Sequence, residues 1–298
     1  MYDTLFRPIQ LGPLSLPNRI VMAPMTRGAS PGGVPGPNVA AYYRRRAEGG
    51  TGLLITEGTW IPHPTAANDP GVPNFHGDGL EGWNSVLREV HAVGGKLIPQ
   101  LWHIGVAPKS EVPEIYSERP DDRAIPVGPS GLSGPGVVAG RAMTQRDIDE
   151  ISAAYVTAAV SAFEAGFDGV EVHAAHGYLI DQFFWEATNL RDDAYGGSLE
   201  ARARFAVDIV RAIRAATAPD FPILLRFSQW KLQDYHARPW PTPQALETFL
   251  GQFVDAGVDI FDCSQRYFWT PEYEGSDLNL AGWARKLMGK PTISVGSV

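Results

Sequence analysis

The chain has 298 residues, of which 44% are hydrophobic and 19% charged, a composition typical of a globular protein. Its net charge of −8 argues against nucleic-acid or anionic-membrane partners, which require clustered Lys and Arg. The single cysteine, Cys263, excludes an intrachain disulfide and an iron–sulfur cluster and favours a reducing cytoplasm. The N-terminal residues and the short apolar runs predict neither a secretory leader nor a membrane span.

Short apolar runs alternate with helical patterns along the chain. Seven runs predict strands, at 20–24, 53–58, 96–102, 168–173, 223–228, 259–264 and 292–296. Six stretches have helical spacing, at 38–48, 80–95, 145–165, 199–216, 243–256 and 279–288. Thr144 and Asp147 resemble a capping box at the start of the third helix. The Pro-, Gly- and Ser-rich segment 104–143 predicts a long loop or lid after the third strand.

The predicted strands are almost continuously apolar, as in a parallel sheet that helices cover on both faces. A doubly wound dinucleotide domain would show G-x-G-x-x-G after a strand, and the sequence has none. Polar residues instead collect where strands end: Thr26, Glu57, Gln100, Trp102, His103, His173, Arg226, Ser228 and Ser264. Such a distribution is typical of a barrel whose active site is built by several loops. We therefore predict an α/β protein with a TIM (β/α)8 barrel, forming one domain over 1–298.

His173 and His176 follow the fourth predicted strand, and Tyr178 lies two residues further on. With His103 as a third ligand, the two histidines could bind zinc in a metal-dependent hydrolase. They could also be ordinary buried imidazoles. A third interpretation is a pair of N–H donors directed at a developing oxyanion, with Tyr178 as proton donor. The residues alone leave these alternatives open.

Arg226 lies inside a predicted strand, where a guanidinium is costly unless an anion accompanies it. A cofactor that is negatively charged when reduced would supply that anion, and an internal salt bridge to Asp262 is the alternative. Gln100 and Thr26 also end strands. Their donors and acceptors suit the edge of a heterocycle with alternating N–H and C=O groups, or simple capping of the barrel rim.

Five blocks of sequence resemble the flavin-dependent Old Yellow Enzyme family in the family's order: NRIVMAPMTR, LLITEGT, PQLWH, GVEVHAAHGYLIDQF and NLRDDAYGGSLEARARF. The resemblance runs through the whole chain. FSQWKLQDY and the segment around 268–287 are also similar to the bacterial branch described as 12-oxophytodienoate or xenobiotic reductases. The implied fold is a TIM barrel with non-covalent FMN at its carboxyl-terminal mouth.

The resemblance also implies the site residues. Those expected to bind FMN are Pro24, Met25, Thr26, Gly58, Gln100, Arg226, Gly296 and Ser297. Thr26 would lie near the flavin O4, and Arg226 near N1 and O2. Trp102, Tyr267 and Trp269 would contact the substrate.

The implied activity is reduction of the C=C bond of enones and nitroalkenes by NAD(P)H, with ping-pong kinetics. His173 and His176 would hold the carbonyl or nitro oxygen while a hydride passes from the flavin to the β-carbon and Tyr178 protonates the α-carbon. We expect a cytoplasmic monomer or homo-oligomer that binds small molecules and no metal. A metal-dependent hydrolase and a catalytically impaired flavin-binding fragment are the alternatives.

Two departures from the family pattern stand out. Ala201 replaces the Asn of the family's YGGS-x-E-N-R pattern, a change expected to lie outside the pocket. The chain also ends after the seventh predicted strand, where the family continues through an eighth strand that helps to bind the FMN phosphate. We therefore expect the chain to be truncated, split, or completed by another segment, because an open barrel exposes two sheet edges.

Overall fold

A parallel sheet of seven strands forms the centre of the molecule in a computed structural model that describes residues 2–107 and 125–297. Its strands are β3 (Val21–Met22), β4 (Leu53–Trp60), β5 (Leu97–Trp102), β10 (Val170–His176), β11 (Ile223–Lys231), β12 (Ile260–Ser264) and β13 (Thr292–Val295). The spatial order follows the chain, from β3 to β13, and every neighbouring pair is parallel. This is the strand arrangement of a TIM barrel, which confirms the predicted fold class.

Helices connect consecutive strands of this sheet. They are α1 (Pro37–Glu48), α2 (Gly77–His91), α3 (Gln145–Ala165), α4 (Leu179–Phe184), α5 (Leu199–Ala216), α6 (Pro243–Ala256) and α7 (Leu280–Met288), with short 3₁₀ turns at Tyr2–Phe6 and Pro31–Gly33. The predicted capping box is confirmed: the Thr144 hydroxyl accepts from the Asp147 N–H, and the Asp147 carboxylate accepts from the Thr144 N–H. No helix in the described ranges is long and apolar enough to cross a membrane.

Six short strands of the described residues lie outside the central sheet. They are β1 (Ile9–Leu11), β2 (Leu14–Leu16), β6 (Val127–Gly128), β7 (Leu132–Gly134), β8 (Val137–Val138) and β9 (Arg141–Ala142). β1 and β2 form an antiparallel hairpin, as do β7 and β8, whereas β6 and β9 pair in parallel. The middle of the predicted long loop 104–143, residues 108–124, lies outside the described residues.

The hairpin of β1 and β2 covers the amino ends of the barrel strands. Its apolar residues share one cluster with residues near the starts of four strands: Leu11, Leu14, Leu16, Leu53, Ile55, Ile98, Leu224 and Ile260. A larger apolar cluster fills the layer between the sheet and the helices. Because that end of the interior is apolar, the carboxyl ends of the strands are left to hold the polar groups.

The predicted helices 145–165, 199–216 and 243–256 have the observed bounds, and the predicted strands are shifted by at most a few residues. Other details of the prediction were wrong. The second helix runs Gly77–His91 rather than 80–95, and the sequence reading missed α4 and the hairpin of β1 and β2. These missed elements have three to six residues, too few to show a period.

Candidate active site

A cavity of about 110 Å³ opens at the carboxyl ends of the strands. Its lining comes from the segment after β3, from β5, β10 and β11, and from the turn between β10 and α4: Pro24, Thr26, Gln100, Trp102, His173, His176, Tyr178 and Arg226. All eight are residues that the sequence predicted for the site. The fold therefore gathers groups that are up to about 200 positions apart in the chain at one end of the barrel, where such folds place their chemistry.

The turn after β10 has an unusual backbone. His176 has φ 66° and Gly177 φ 85°, both in the left-handed region that disfavours a side chain such as that of His176. Neighbouring groups hold the turn: the His176 N–H donates to Ser228 Oγ at 3.0 Å, and the Leu232 N–H donates to the His176 carbonyl at 3.2 Å. The parallel register between β10 and β11 also shifts between Ala174 and His176. The strain at His176 is therefore fixed by β11 and the loop after it.

A buried ion pair lies directly below this turn. Lys231 Nζ donates to Asp181 Oδ1 at 2.6 Å and to the Ser228 carbonyl at 2.9 Å, and both charged side chains are fully buried. The other Asp181 oxygen accepts from the Gly177 N–H at 2.7 Å. Burial raises the pKa of Asp181 to about 6 and lowers that of Lys231, although each partner opposes the change. Asp181 thus links the His176–Gly177 turn to the end of β11.

The rings of the predicted donors lie close together. The His173 ring centroid is 5.3 Å from that of His176 and 5.1 Å from that of Tyr178, edge to face in both cases. Trp102 contacts two of these rings, at 5.8 Å from His173 and 4.8 Å from Tyr178. On the other side of His176, the ring of Trp230 is stacked at 4.5 Å.

Both histidines are held neutral. Burial, and then the positive charge of Arg226, keep the pKa of His173 well below its ordinary value. The same two causes, in the same order, lower the pKa of His176. At neutral pH each ring therefore has one N–H donor and one acceptor nitrogen.

The neighbours of each ring constrain where its proton lies. His173 Nδ1 accepts from the Ala175 N–H at 3.4 Å, which leaves Nε2 as the protonated nitrogen. His176 Nε2 is 2.8 Å from Ser264 Oγ, and the Ser264 hydroxyl can either donate or accept. If Ser264 donates, the His176 proton lies on Nδ1, and that nitrogen is then available as a donor to a ligand.

Arg226 has an internal partner. It forms a buried ion pair with Asp262 on the adjacent strand, which is the alternative that the sequence left open. Glu171 Oε1 accepts from Gln100 Nε2 at 2.7 Å, and burial followed by the charge of Asp262 raises the pKa of Glu171 well above its ordinary value. Arg226 nevertheless lines the cavity, so the ion pair fixes the guanidinium there and does not remove it from the site.

The cavity does not contain His103, the third ligand that a zinc site at His173 and His176 would need. His103 Nδ1 accepts from the Gly105 N–H at 3.0 Å, and His103 Nε2 lies 3.0 Å from Thr65 Oγ1. Both ring nitrogens of His103 are thus occupied away from His173 and His176. In the described part of the chain, no group of three or more His, Cys, Asp or Glu side chains is placed to hold a metal ion.

The other predicted site residues lie outside the cavity lining. A side chain at Gly58 would overlap Trp102 at 2.5 Å, so the close approach at this glycine is made by the indole ring. Met25 is exposed beside Pro24 and Thr26. Gly296 and Ser297 follow β13, and the Ser297 hydroxyl donates to the Arg266 carbonyl at 2.8 Å.

Tyr267 and Trp269 are exposed on the loop after β12, with ring centroids 5.3 Å apart. Tyr267 lines a second, larger cavity next to the first. The sequence analysis missed the Asp181–Lys231 pair; its one signal was an aspartate within the largely apolar run 178–185.

The seven parallel strands carry neutral imidazoles, a fixed guanidinium, and amide and hydroxyl groups at their carboxyl ends. These features define a TIM-barrel protein that binds its ligand at the carboxyl ends of the strands. Residues 4–266 match the profile of the NADH:flavin oxidoreductase / NADH oxidase family. The chain belongs to that family.

Named relatives agree with this assignment. Rice 12-oxophytodienoate reductase 7 is 42% identical over 224 residues, which are 72% of this chain and 56% of the rice protein. A solved structure of morphinone reductase in complex with tetrahydroNAD is 33% identical with a TM-score of 0.82, covering 99% of this chain and 80% of that one. The old yellow enzyme homologue of Zymomonas mobilis is 30% identical with a TM-score of 0.81, covering 97% and 81%. The chain thus spans little more than half of the rice relative.

Proposed function

We propose that this protein is an FMN-dependent ene-reductase that uses NAD(P)H to reduce the C=C bond of enones and nitroalkenes. The observation that carries the proposal is the placement of His173, His176 and Tyr178 around one cavity with Arg226 in its wall. Family membership supports a flavin and a nicotinamide coenzyme as the redox partners. Reduction of the flavin by NADH or NADPH, ping-pong kinetics and a cytoplasmic location are parts of the same proposal.

The residues around the cavity fit a flavin. Pro24 offers an apolar surface, and Thr26 and Gln100 offer hydroxyl and amide groups for the edge of a planar heterocycle. The buried, ion-paired Arg226 offers a fixed positive charge at the same cavity. A bound FMN would supply hydride acceptance from the coenzyme and hydride donation to the alkene. Gly58, Met25, Gly296 and Ser297 stay predicted cofactor contacts.

His173 and His176 would act on the substrate oxygen. With the Ser264 hydroxyl donating to His176 Nε2, each neutral ring can donate one N–H to a carbonyl or nitro oxygen without the cost of burying an imidazolium. Hydrogen bonds from fixed donors draw electron density from the alkene and stabilise the enolate oxygen as charge develops on it. Trp102 packs against His173 and Tyr178 and would shape the space over the reacting carbons.

Tyr178 would provide the proton. Its ring lies edge-on to His173, within reach of a ligand that His173 and His176 hold. Its phenolic O–H can donate a proton to the α-carbon as the enolate collapses. The backbone of this residue is held by the turn that Asp181 and Lys231 support.

Turnover of a simple enone tests the proposal. Protein reconstituted with FMN should oxidise NADPH under anaerobic conditions in the presence of cyclohexenone and form one cyclohexanone per NADPH, as measured by gas chromatography. Treatment with a metal chelator should leave the rate unchanged. Formation of no cyclohexanone by flavin-loaded protein would contradict the activity, and loss of the rate on chelation would contradict a reaction that needs no metal ion.

A further inference from the structure

A second cavity lies beside the candidate active site, between the segments that follow β11 and β12. Its volume is about 460 Å³, roughly four times that of the first cavity. Aromatic and charged side chains predominate in its lining, among them Trp230, Tyr235, Arg238, Arg266, Tyr267 and Glu272. The volume lies within the range of about 300–1,000 Å³ that small-molecule sites occupy.

The two cavities share a wall. The ring of Trp230, which lines the larger cavity, stacks on His176, which lines the smaller one. Ser264 lines the larger cavity, and its hydroxyl is 2.8 Å from His176 Nε2. A ligand whose carbonyl is held at His176 therefore has the larger cavity immediately next to it for the remainder of its structure.

The charges of the larger cavity do not cancel. Arg238 forms an ion pair with the buried Glu272, which also accepts from Gln229 and Gln265 at 3.2 and 2.9 Å. Arg266, by contrast, has no carboxylate within 4.0 Å among residues 2–107 and 125–297. Among the described lining residues, one positive charge thus remains without an ion-pair partner.

Aromatic rings hold Arg266 in place. Its guanidinium carbon lies 4.2 Å from the ring centroid of Tyr235 and 5.5 Å from that of Trp230. Cation–π contacts of this kind restrain a guanidinium and leave its N–H groups able to form bidentate hydrogen bonds to an anion. Within the described residues, Arg266 is therefore a restrained cation without an ion-pair partner, and it lies beside the reactive centre.

We propose that the larger cavity binds an anionic group, a carboxylate or a phosphate, of a ligand whose reacting end lies at His173 and His176, and that Arg266 recognises that group. The inference rests on the proposed ene-reductase function. The anion has two possible sources, an acidic tail on the alkene or the ribose phosphate that distinguishes NADPH from NADH. Arg266 would then determine specificity without touching the reacting atoms.

Arg266→Gln tests this proposal, with Arg285→Gln as the matched control. Arg285 is exposed at the end of α7 and lies outside both cavities. The first set of substrates is cyclohexenones with terminal carboxylates on alkyl tails of increasing length, paired with their methyl esters. The second is NADH against NADPH with cyclohexenone as acceptor. We expect Arg266→Gln to lower kcat/KM for the charged member of one pair about tenfold, which corresponds to about 1.4 kcal/mol.

The uncharged member of the affected pair should change less than about twofold, and Arg285→Gln should change neither. A lower kcat/KM for the carboxylates assigns the cavity to the substrate tail, and a lower kcat/KM for NADPH assigns it to the coenzyme. The proposal would be overturned if Arg266→Gln changed kcat/KM equally for both members of each pair, or changed it for no substrate. A loss of FMN affinity in Arg266→Gln would also overturn it. Calorimetric titration with saturated keto acids and their esters gives the same comparison without turnover, so failure of the ene-reductase activity remains distinguishable.

Discussion

Lys231→Met should lower the free energy of unfolding by about 3–5 kcal/mol, because it leaves the Asp181 carboxylate buried without its cation. Both side chains are fully buried, and the Lys231 ammonium also donates to the Ser228 carbonyl at 2.9 Å. Urea unfolding followed by circular dichroism measures the change. The matched control is Lys96→Met, because Lys96 pairs with Asp168 at 2.8 Å but is 41% exposed, so its loss should cost less than about 1 kcal/mol.

The effect of Lys231→Met should also depend on pH. Burial already raises the pKa of Asp181 to about 6, and removal of Lys231 raises it further, so the folded variant holds a proton that the unfolded chain releases. Stability is then lost as pH rises, and the deficit should be larger at about pH 8 than at about pH 6. The double variant Lys231→Met with Asp181→Asn should recover most of the loss. Equal deficits at both pH values, or no recovery in the double variant, would contradict a buried ion pair.

Tyr178→Phe should slow the reduction of cyclohexenone by about 10²- to 10⁴-fold, the usual contribution of a general acid. Reduction of the bound flavin by NADPH should proceed within about twofold of its normal rate, because that step requires no proton from the phenol. Stopped-flow absorbance measures the two half-reactions separately. A nitroalkene should be affected less than cyclohexenone, because the nitronate that forms is stable enough to leave the site and be protonated in water.

Tyr195→Phe provides the control for this substitution. The Tyr195 hydroxyl lies on the outside of the barrel, 3.4 Å from Gln145 Nε2, so its loss should leave both half-reactions unchanged. If Tyr178→Phe slowed both half-reactions equally, its effect would come from packing against Trp102 and His173 rather than from the lost proton.

Most of the barrel could be predicted because its strands and helices are long and regular. The run from Gln145 to Ala165 has a capping box at its start and Gly166 in the left-handed region at its end, so both bounds followed from local chemistry. α4, with six residues, carries no period of its own and exists because its apolar face is buried against β10 and α5. Tertiary packing, rather than local sequence, determines that helix.

The cavity lining could be predicted in large part because strand ends meet at one edge of a parallel sheet. All eight lining residues followed from strand position or from the family motifs. The distinction between a cofactor partner and an internal partner for Arg226 could not be predicted, because it depends on Asp262 lying opposite on the next strand. The Asp181–Lys231 pair was missed for the same reason, since 50 residues separate its members. They meet only because α4, which contains Asp181, packs against β10, the neighbour of β11.

The spectrum of the flavin tests the central claim most directly. Purified protein with FMN should be yellow, and anaerobic addition of one equivalent of NADPH should bleach the flavin absorbance. Subsequent addition of cyclohexenone should restore it, with one alkene reduced per flavin reoxidised. A protein that binds FMN and is bleached by NADPH, but that no activated alkene restores to yellow, would contradict the account.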